Sequence, residues 1–426
     1  MARIVVYSIA YRGDILPYAP IAAELARRGH TVTFVAPEEV HPLLVADGVT
    51  LVDADAGEMT PSGLDRYGDY CARWGRVASG AMLMPLYYRR LTVPRVRELV
   101  AAVDAVTDGA DLLVTHPGAT PIASIPFEQR GIPFMAADLF PMLTRTSDHP
   151  PPGLVPFRTG TSAVARRGND AAWNLGRSPL AKWCLDEKAL IADRRARGLD
   201  TDGWHVMDRR LSPTFNIALV SPHYYPPASD WGDEYPFVGF TPWTAADDPL
   251  PQAVTDFLAA GEPPVLVCLG TCAASAAPQV FDLAAQALDD LGLRGLYLAS
   301  TPAIGARLGN RPGVWPFVPV GPVLPHVRAV VQAGAHGMNS LVLAAGKPSV
   351  IVPALFDQLW HAKRHEELGT GHRVRGRPTV AKLRSAIQAA LTETMTERAQ
   401  DFAARLATEN GTRAACNEIE GFLART

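Results

Sequence analysis

The chain has 426 residues, of which 48% are hydrophobic and 19% charged, with a formal net charge of -3. That length allows two domains of ordinary size, and that charge gives no electrostatic basis for a nucleic-acid partner and leaves room for at most peripheral membrane contact. Five cysteines (Cys71, Cys184, Cys268, Cys272, Cys416) spread over so long a chain do not describe a disulfide framework, so a reducing cytoplasm is the expected setting.

The first apolar run, Arg3–Ile9, is short, carries only Arg3 as a basic residue and is followed by charge, so it is expected to be a strand and not a signal peptide. Tyr18, Ile21, Ala22, Leu25 and Ala26 recur at helical spacing until Gly29, and Thr31–Ala36 follows as a second strand. This β-α-β rhythm lacks the Gly-x-Gly-x-x-Gly turn of a dinucleotide site, because its first turn reads Ala10-Tyr11-Arg12-Gly13-Asp14. Val49–Val52 is a third strand. It ends in Asp53-Ala54-Asp55, a pair that can hold a divalent ion, but beside Gly57 it reads as a solvated strand end. Residues 60–88 mix Trp74, Met82, Met84, Tyr87 and Tyr88 with polar residues, a composition that suits a broad apolar pocket or an ordinary core helix.

Helix Val93–Val106, strand Asp111–Thr115, helix Ala119–Gln129 and strand Ile132–Ala136 continue an alternation that argues for a parallel sheet. A long loop, Phe140–Thr161, a helical stretch from Ala163 to Arg197 and a strand, Phe215–Val220, come next. Two Pro-rich segments, Ser221–Asp230 and Thr241–Pro251, then mark a linker with a boundary near Thr241. The alternation restarts with strand Pro264–Leu269, turn Gly270-Thr271, helix Pro278–Leu291 and strand Gly295–Ala299. Two helices, Val380–Glu393 and Glu397–Arg425, close the chain. Cys268 and Cys272 have no second Cys or His pair at ligand spacing, so no metal is expected.

The most informative stretch is Val314–Gly371. Apolar runs Ala329–Val331 and Ser349–Val352 flank a loop, Gln332–Asn339, broken by Gly334 and Gly337, that leads into a helix. Backbone N–H groups at such a helix start make an anion site. After the second strand, Asp357-Gln358 places a carboxylate beside an amide where open α/β sheets bind ligands. An anion site at one strand end and a hydroxyl-reading pair at the next suggest a sugar nucleotide.

This stretch resembles the donor-binding segment of nucleotide-sugar glycosyltransferases of the GT-B fold, in particular the bacterial natural-product and sterol-glucosyltransferase branch. Phe317-Val318-Pro319-Val320 is similar to the opening that stacks on the base, without its Gln, and Asp357-Gln358 matches the pair that reads the transferred sugar. Between them the pattern departs: the family's diphosphate-binding His falls on Ala333, or on Gln332 after a one-residue slip, with His336 three residues beyond Ala333. Near the N-terminus, Tyr11-Arg12-Gly13-Asp14 followed by Pro17 is similar to the Ser-Arg-Gly-Asp-x-x-Pro of sterol and glycopeptide glycosyltransferases.

The resemblance implies two Rossmann-like doubly wound domains facing across a cleft. Residues 1–235 form an acceptor domain, 236–250 a linker and 251–400 a donor domain, and 401–426 form a helix crossing back to the first domain. It implies an inverting transfer of a sugar from UDP or dTDP to a hydroxyl of a lipophilic small molecule, with no metal or other cofactor, by a monomer or homodimer. Asp14, after the first strand, is expected to be the base, and His116, after the fourth, its hydrogen-bonded partner. Gly270, Thr271, Phe317, Val318, Gln332, Gly334, His336, Gly337, Met338, Asn339, Asp357 and Gln358 are expected to hold the donor, with His336 replacing the missing His as phosphate ligand. A non-catalytic homologue that activates a partner is the alternative. A sugar-nucleotide epimerase is a third, disfavoured by the Arg-Gly-Asp entry.

Overall fold

The computed structural model describes residues 1–8, 12–54, 93–151, 162–175, 187–202, 204–244, 250–354 and 357–426. Two compact units emerge. One takes the described residues up to Thr241 together with Glu409–Thr426, and the other takes Pro242–Thr408.

The first unit contains β1 (Arg3–Tyr7), α1 (Ala19–Arg27), β2 (Thr31–Ala36), β3 (Val49–Asp53), α2 (Val96–Asp104), β4 (Leu112–Thr115), α3 (Thr120–Arg130), β5 (Phe134–Asp138), α4 (Ala163–Leu175), α5 (Lys188–Ala196) and β6 (Asn216–Ala218). Its strands pair in the order β3-β2-β1-β4-β5-β6, all parallel. β4 is buried along its whole length, as expected of a strand covered on both faces by crossover helices. Val5, Tyr7, Val35 and Leu113 pack there against Leu99 and Val103 of α2 and Ile122 and Phe127 of α3.

The second unit contains α6 (Gln252–Ala259), β7 (Val265–Val267), α7 (Thr271–Ala276), α8 (Gln279–Asp290), β8 (Gly295–Leu298), α9 (Pro302–Leu308), β9 (Val314–Trp315), β10 (Ala329–Gln332), α10 (His336–Ala344), β11 (Ser349–Ile351), α11 (Gln358–Leu368), β12 (Gly371–Arg373), α12 (Val380–Ala390) and α13 (Glu393–Leu406). Its order is β12-β11-β10-β7-β8-β9, again all parallel. Strand alternation splits its apolar residues into two cores, one per sheet face. Val265, Val267 and Val331 lie on one, with Phe281 and Leu288 of α8, and Leu266, Cys268 and Val330 lie on the other, with Val342 of α10.

Numbered within each unit, both sheets therefore run 3-2-1-4-5-6. In each, the winding direction reverses between the first and fourth strands, which is where such sheets bind ligands at their carboxyl ends.

The chain end differs from the single helix Glu397–Arg425 read from the sequence. Residues 401–406 remain in α13, the chain breaks after Leu406, and α14 (Gly411–Leu423) belongs to the first unit. Asn410 caps α14 by accepting from Arg413 N–H at 2.9 Å, and Gly411 is needed because a β-carbon there would press on the Phe240 carbonyl. Residues 236–241, read as linker, also belong to the first unit, with Phe237 bridged to Ala218.

α14 packs on α1 with Ala415, Cys416, Ile419 and Phe422 buried, and the Phe422 ring stacks on Phe215 at 5.4 Å. An ion network seals the edge. Glu420 takes Arg28 at 2.7 Å and His30 Nε2 at 3.0 Å, while His30 Nδ1 accepts from Ala2 N–H. Hydrogen bonds from Arg27 and Arg28 hold Glu24 down to about 2, and His30 followed by Arg28 lowers Glu420. Both carboxyls lie below their ordinary 4.5, so their contribution is full above that value and is lost as pH falls through the folded values. Glu420→Gln is expected to lower the melting temperature by about 2 °C at neutral pH. Calorimetry at stepped pH should show that gap closing on acidification from 5 toward 3.

Candidate functional site

The carboxyl edge of the first sheet brings together Ser8, Asp14, His116 and Asp138. Asp14 lies in a short helical turn, Arg12–Ile15, where its backbone carbonyl accepts from Ser8 Oγ at 2.9 Å and its side chain is half-buried. It is not the cap of α1, whose N-cap is Tyr18. Tyr18 is fully buried and donates its hydroxyl to the Ala137 carbonyl. Burial, then Asp138, then Asp14 push that hydroxyl's pKa well up.

His116 follows β4 and its N–H bonds across the switch point to the Tyr7 carbonyl at 3.1 Å. Its ring is 6% exposed and meets the edges of Tyr18 and Phe140 at 6.3 and 5.8 Å. Burial, helped by the nearby Arg210 charge, lowers its pKa to about 3. Because Nδ1 accepts from Gly118 N–H at 3.0 Å, the single proton of the neutral ring sits on Nε2. Among the described residues Nε2 has no hydrogen-bond partner. The hydrogen-bonded Asp14–His116 dyad expected from the sequence is therefore not formed, and Nε2–H is left as a hydrogen-bond donor.

Sequence reasoning missed Asp138. This fully buried carboxylate ends β5 and accepts from Phe140 N–H, the Thr144 hydroxyl and the Tyr235 hydroxyl, so it ties down the loop after β5. Nothing in its sequence surroundings separates it from an ordinary strand-end Asp. The segment read as Pro-rich linker also builds a cluster in this unit. Tyr225, Trp231 and Phe237 stack within about 6 Å of one another, and His149 Nε2 meets the Tyr225 hydroxyl at 2.7 Å. Trp74, Met82, Met84, Tyr87 and Tyr88 lie outside the described residues, as does Asp55. Asp53 accepts from Glu38 N–H at 2.8 Å.

In the second unit the predicted donor residues lie at the carboxyl ends of neighbouring strands. Gly270, at φ +74, caps α7 after β7, and Thr271 opens that helix with only its backbone described. Phe317 follows β9 with its ring 45% exposed, whereas Val318 is buried. Two residues expected to line the phosphate-facing loop have buried side chains. Gln332 is the last residue of β10, fully buried, with its amide N–H donated to Ser349 Oγ of β11 at 2.9 Å. His336 directly follows the loop as the first residue of α10, with its side chain 3% exposed. The loop proper is 333–335, followed by half-buried Gly337 and Met338 in the first turn of α10.

Asn339 is likewise inside. Its amide donates to the Gly334 carbonyl at 2.9 Å, and Gly334 holds φ +95, with a β-carbon there 3.0 Å from Ile351 Cγ2 and 3.3 Å from the Gln358 carbonyl. Asp357 precedes α11 but makes no capping bond to its N–H groups; its carboxylate stands 2.9 Å from His361 Nε2. Gln358 accepts from Ala354 N–H at 2.9 Å. His361 and His365, neither singled out from the sequence, are buried beneath this edge.

His116 and His365 both have values near 3 against an ordinary 6.5. The unfolded chain takes up these protons first, so stability falls as pH drops from 6.5 and keeps falling toward 3. Long-range nitrogen NMR should find both rings neutral with the proton on Nε2 throughout pH 5 to 8, with no titration.

No family model matches the chain. O-mycaminosyltylonolide 6-deoxyallosyltransferase of Streptomyces fradiae is 27% identical over 429 residues, covering 98% of this chain and 97% of the relative. Among solved structures, the calicheamicin glycosyltransferase CalG4 superposes with a TM-score of 0.67 at 22% identity, covering 100% of this chain and 99% of its own. The spinosyn rhamnosyltransferase SpnG, complexed with thymidine diphosphate, gives 0.63 at 16% identity, covering 98% and 100%.

Proposed function

Starting from a transferase acting on sugars, of natural-product type and built on the two-domain GT-B fold, we propose that this enzyme moves a sugar from a nucleoside diphosphate to a hydroxyl of a lipophilic small molecule, inverting the anomeric carbon. The observation that carries the proposal is the gathering of Gly270, the 333–335 loop, the start of α10 and Asp357-Gln358 at one edge of one parallel sheet, around its switch point.

On this reading the diphosphate faces the first-turn N–H groups of α10, which have no partners within the helix and sit at its positive end. These groups, and not a metal, take the charge that grows on the leaving diphosphate as the sugar–oxygen bond breaks. Phe317 supplies a face for the base, and Asp357-Gln358 bonds the sugar hydroxyls. The acceptor oxygen attacks the anomeric carbon and gives its proton to the Asp14 carboxylate, while His116 contributes an Nε2–H donor. The thymidine diphosphate bound by the SpnG structure favours dTDP, with UDP the other candidate.

Gln332 and Ala333 leave the loop without a cationic ligand, and this favours a second reading, a partner-activating homologue that binds no donor. Titration calorimetry with UDP, dTDP and GDP separates the two. Micromolar binding of one nucleotide is expected, and binding of none would leave the second reading standing. For Asp14→Asn, kcat is expected to fall about a hundredfold or more while nucleotide affinity stays unchanged. Transfer surviving within a few-fold would place the base elsewhere.

A further inference from the structure

α11 buries the wrong face for an ordinary amphipathic helix. Its inward stripe is Gln358, His361, Ala362 and His365, whereas Leu359 is exposed. A polar stripe turned inward costs stability unless every member is bonded, so what it bonds to is informative.

His365 is one link in a closed chain. The Asn339 amide donates to the Gly334 carbonyl, so its Oδ1 is left to accept from His365 Nε2 at 3.1 Å, and Nδ1 of the same ring then accepts from the Thr370 hydroxyl at 2.9 Å. Asn339, His365 and Thr370 are all fully buried, and burial holds the imidazole neutral, as this bonding requires. The chain ends on the loop that faces the proposed diphosphate. One turn earlier, His361 is 1% exposed and its Nε2 lies 2.9 Å from Asp357 Oδ2, an electrostatic contact whose angle falls short of a hydrogen bond. The same helix start presses on the loop, with His361 Cβ 3.6 Å from where a Gly334 β-carbon would stand.

We propose that His361 and His365 are positioning residues of the donor site with separate duties: His365 acts through Asn339 to set the loop against the diphosphate, and His361 acts on Asp357 to aim its carboxylate at a sugar hydroxyl. The inference rests on the donor-site reading above. It gives this chain a way to order a loop that carries no histidine ligand, from one turn of helix behind it. A helix that anchors both ends of the donor also couples them, since rotation of α11 moves the sugar-reading carboxylate and the loop together.

The test is calorimetry with dTDP and dTDP-glucose, or UDP and UDP-glucose if those are what the wild type binds. His365→Leu is expected to weaken nucleotide and nucleotide sugar alike by about tenfold, and His365→Gln, which keeps a donor toward Asn339, to recover most of that loss. His361→Leu is expected to leave the bare nucleotide within about twofold but to remove most of the extra affinity contributed by the sugar. If His365→Leu does not fold, Thr370→Val, which removes the outer link, should weaken both ligands by about threefold. Equal losses for both ligands in both histidine variants would show a general loosening and overturn the division of duties. Unchanged affinities in both would overturn the whole inference. A wild type that binds neither nucleotide would instead overturn the donor-site reading, and this inference with it.

Discussion

Both units depend on the same hydrogen-bonded arrangement, a six-stranded parallel sheet in the order 3-2-1-4-5-6. In a parallel sheet every strand leaves at the same edge, and each connection must cross a face before it returns. The crossovers leave in opposite directions from the two middle strands, so the loops after β1 and β4, and after β7 and β10, part and leave a crevice. The placement of the residues proposed for the chemistry follows from that. Asp14 and His116 lie after β1 and β4, and Gly270 and the 333–335 loop after β7 and β10. A residue one place earlier in such a strand has a different fate: Gln332 still belongs to β10, and its amide is spent on Ser349 of the next strand.

A second constraint is the cost of burying polar groups. The described residues place His116, Asp138, Asn339, His361 and His365 in near-complete burial at these two edges. The imidazoles of His116 and His365 stay neutral there and have their tautomers chosen for them, through Gly118 N–H at His116 and the Thr370 hydroxyl at His365. The choice decides chemistry. A ring whose Nδ1 already accepts from a backbone N–H, as in His116, can donate from the other nitrogen but has no open nitrogen at which to collect a proton.

The relatives agree with the fold over nearly the whole chain at about a quarter identity or less. At that distance architecture persists while site residues are exchanged, and the 333–335 loop is where this chain departs from the pattern it resembles. The departure extends beneath the loop: Asn339, His365 and Thr370 form a single bonded chain behind it, so the loop and α11 are one construction and not two neighbouring motifs.

Much of this was legible in the sequence because it is local. Alternating apolar runs and helical spacings locate the strands and helices, since burial of a periodic face is what forms them. Glycines at 270 and 334 mark turns because those turns need positive φ. Asp357-Gln358 stands out as a charged-polar pair soon after an apolar strand, although Gln358 proves to be buried and bonded to Ala354 N–H. The rest depended on partners distant in sequence. No spacing rule reveals that Asp138 meets Tyr235, or that α11 turns its histidines inward, because hydrophobic periodicity reports only apolar faces. The break between α13 and α14 was hidden for the same reason, since it is Gly411 against Phe240 and Asn410 over the next turn that end one helix and begin another. The sequence by itself determined which segments fold and where the glycine turns at the strand ends fall. Only tertiary structure decided which polar side chains are spent inside, because that depends on which donor each acceptor meets when distant segments close together.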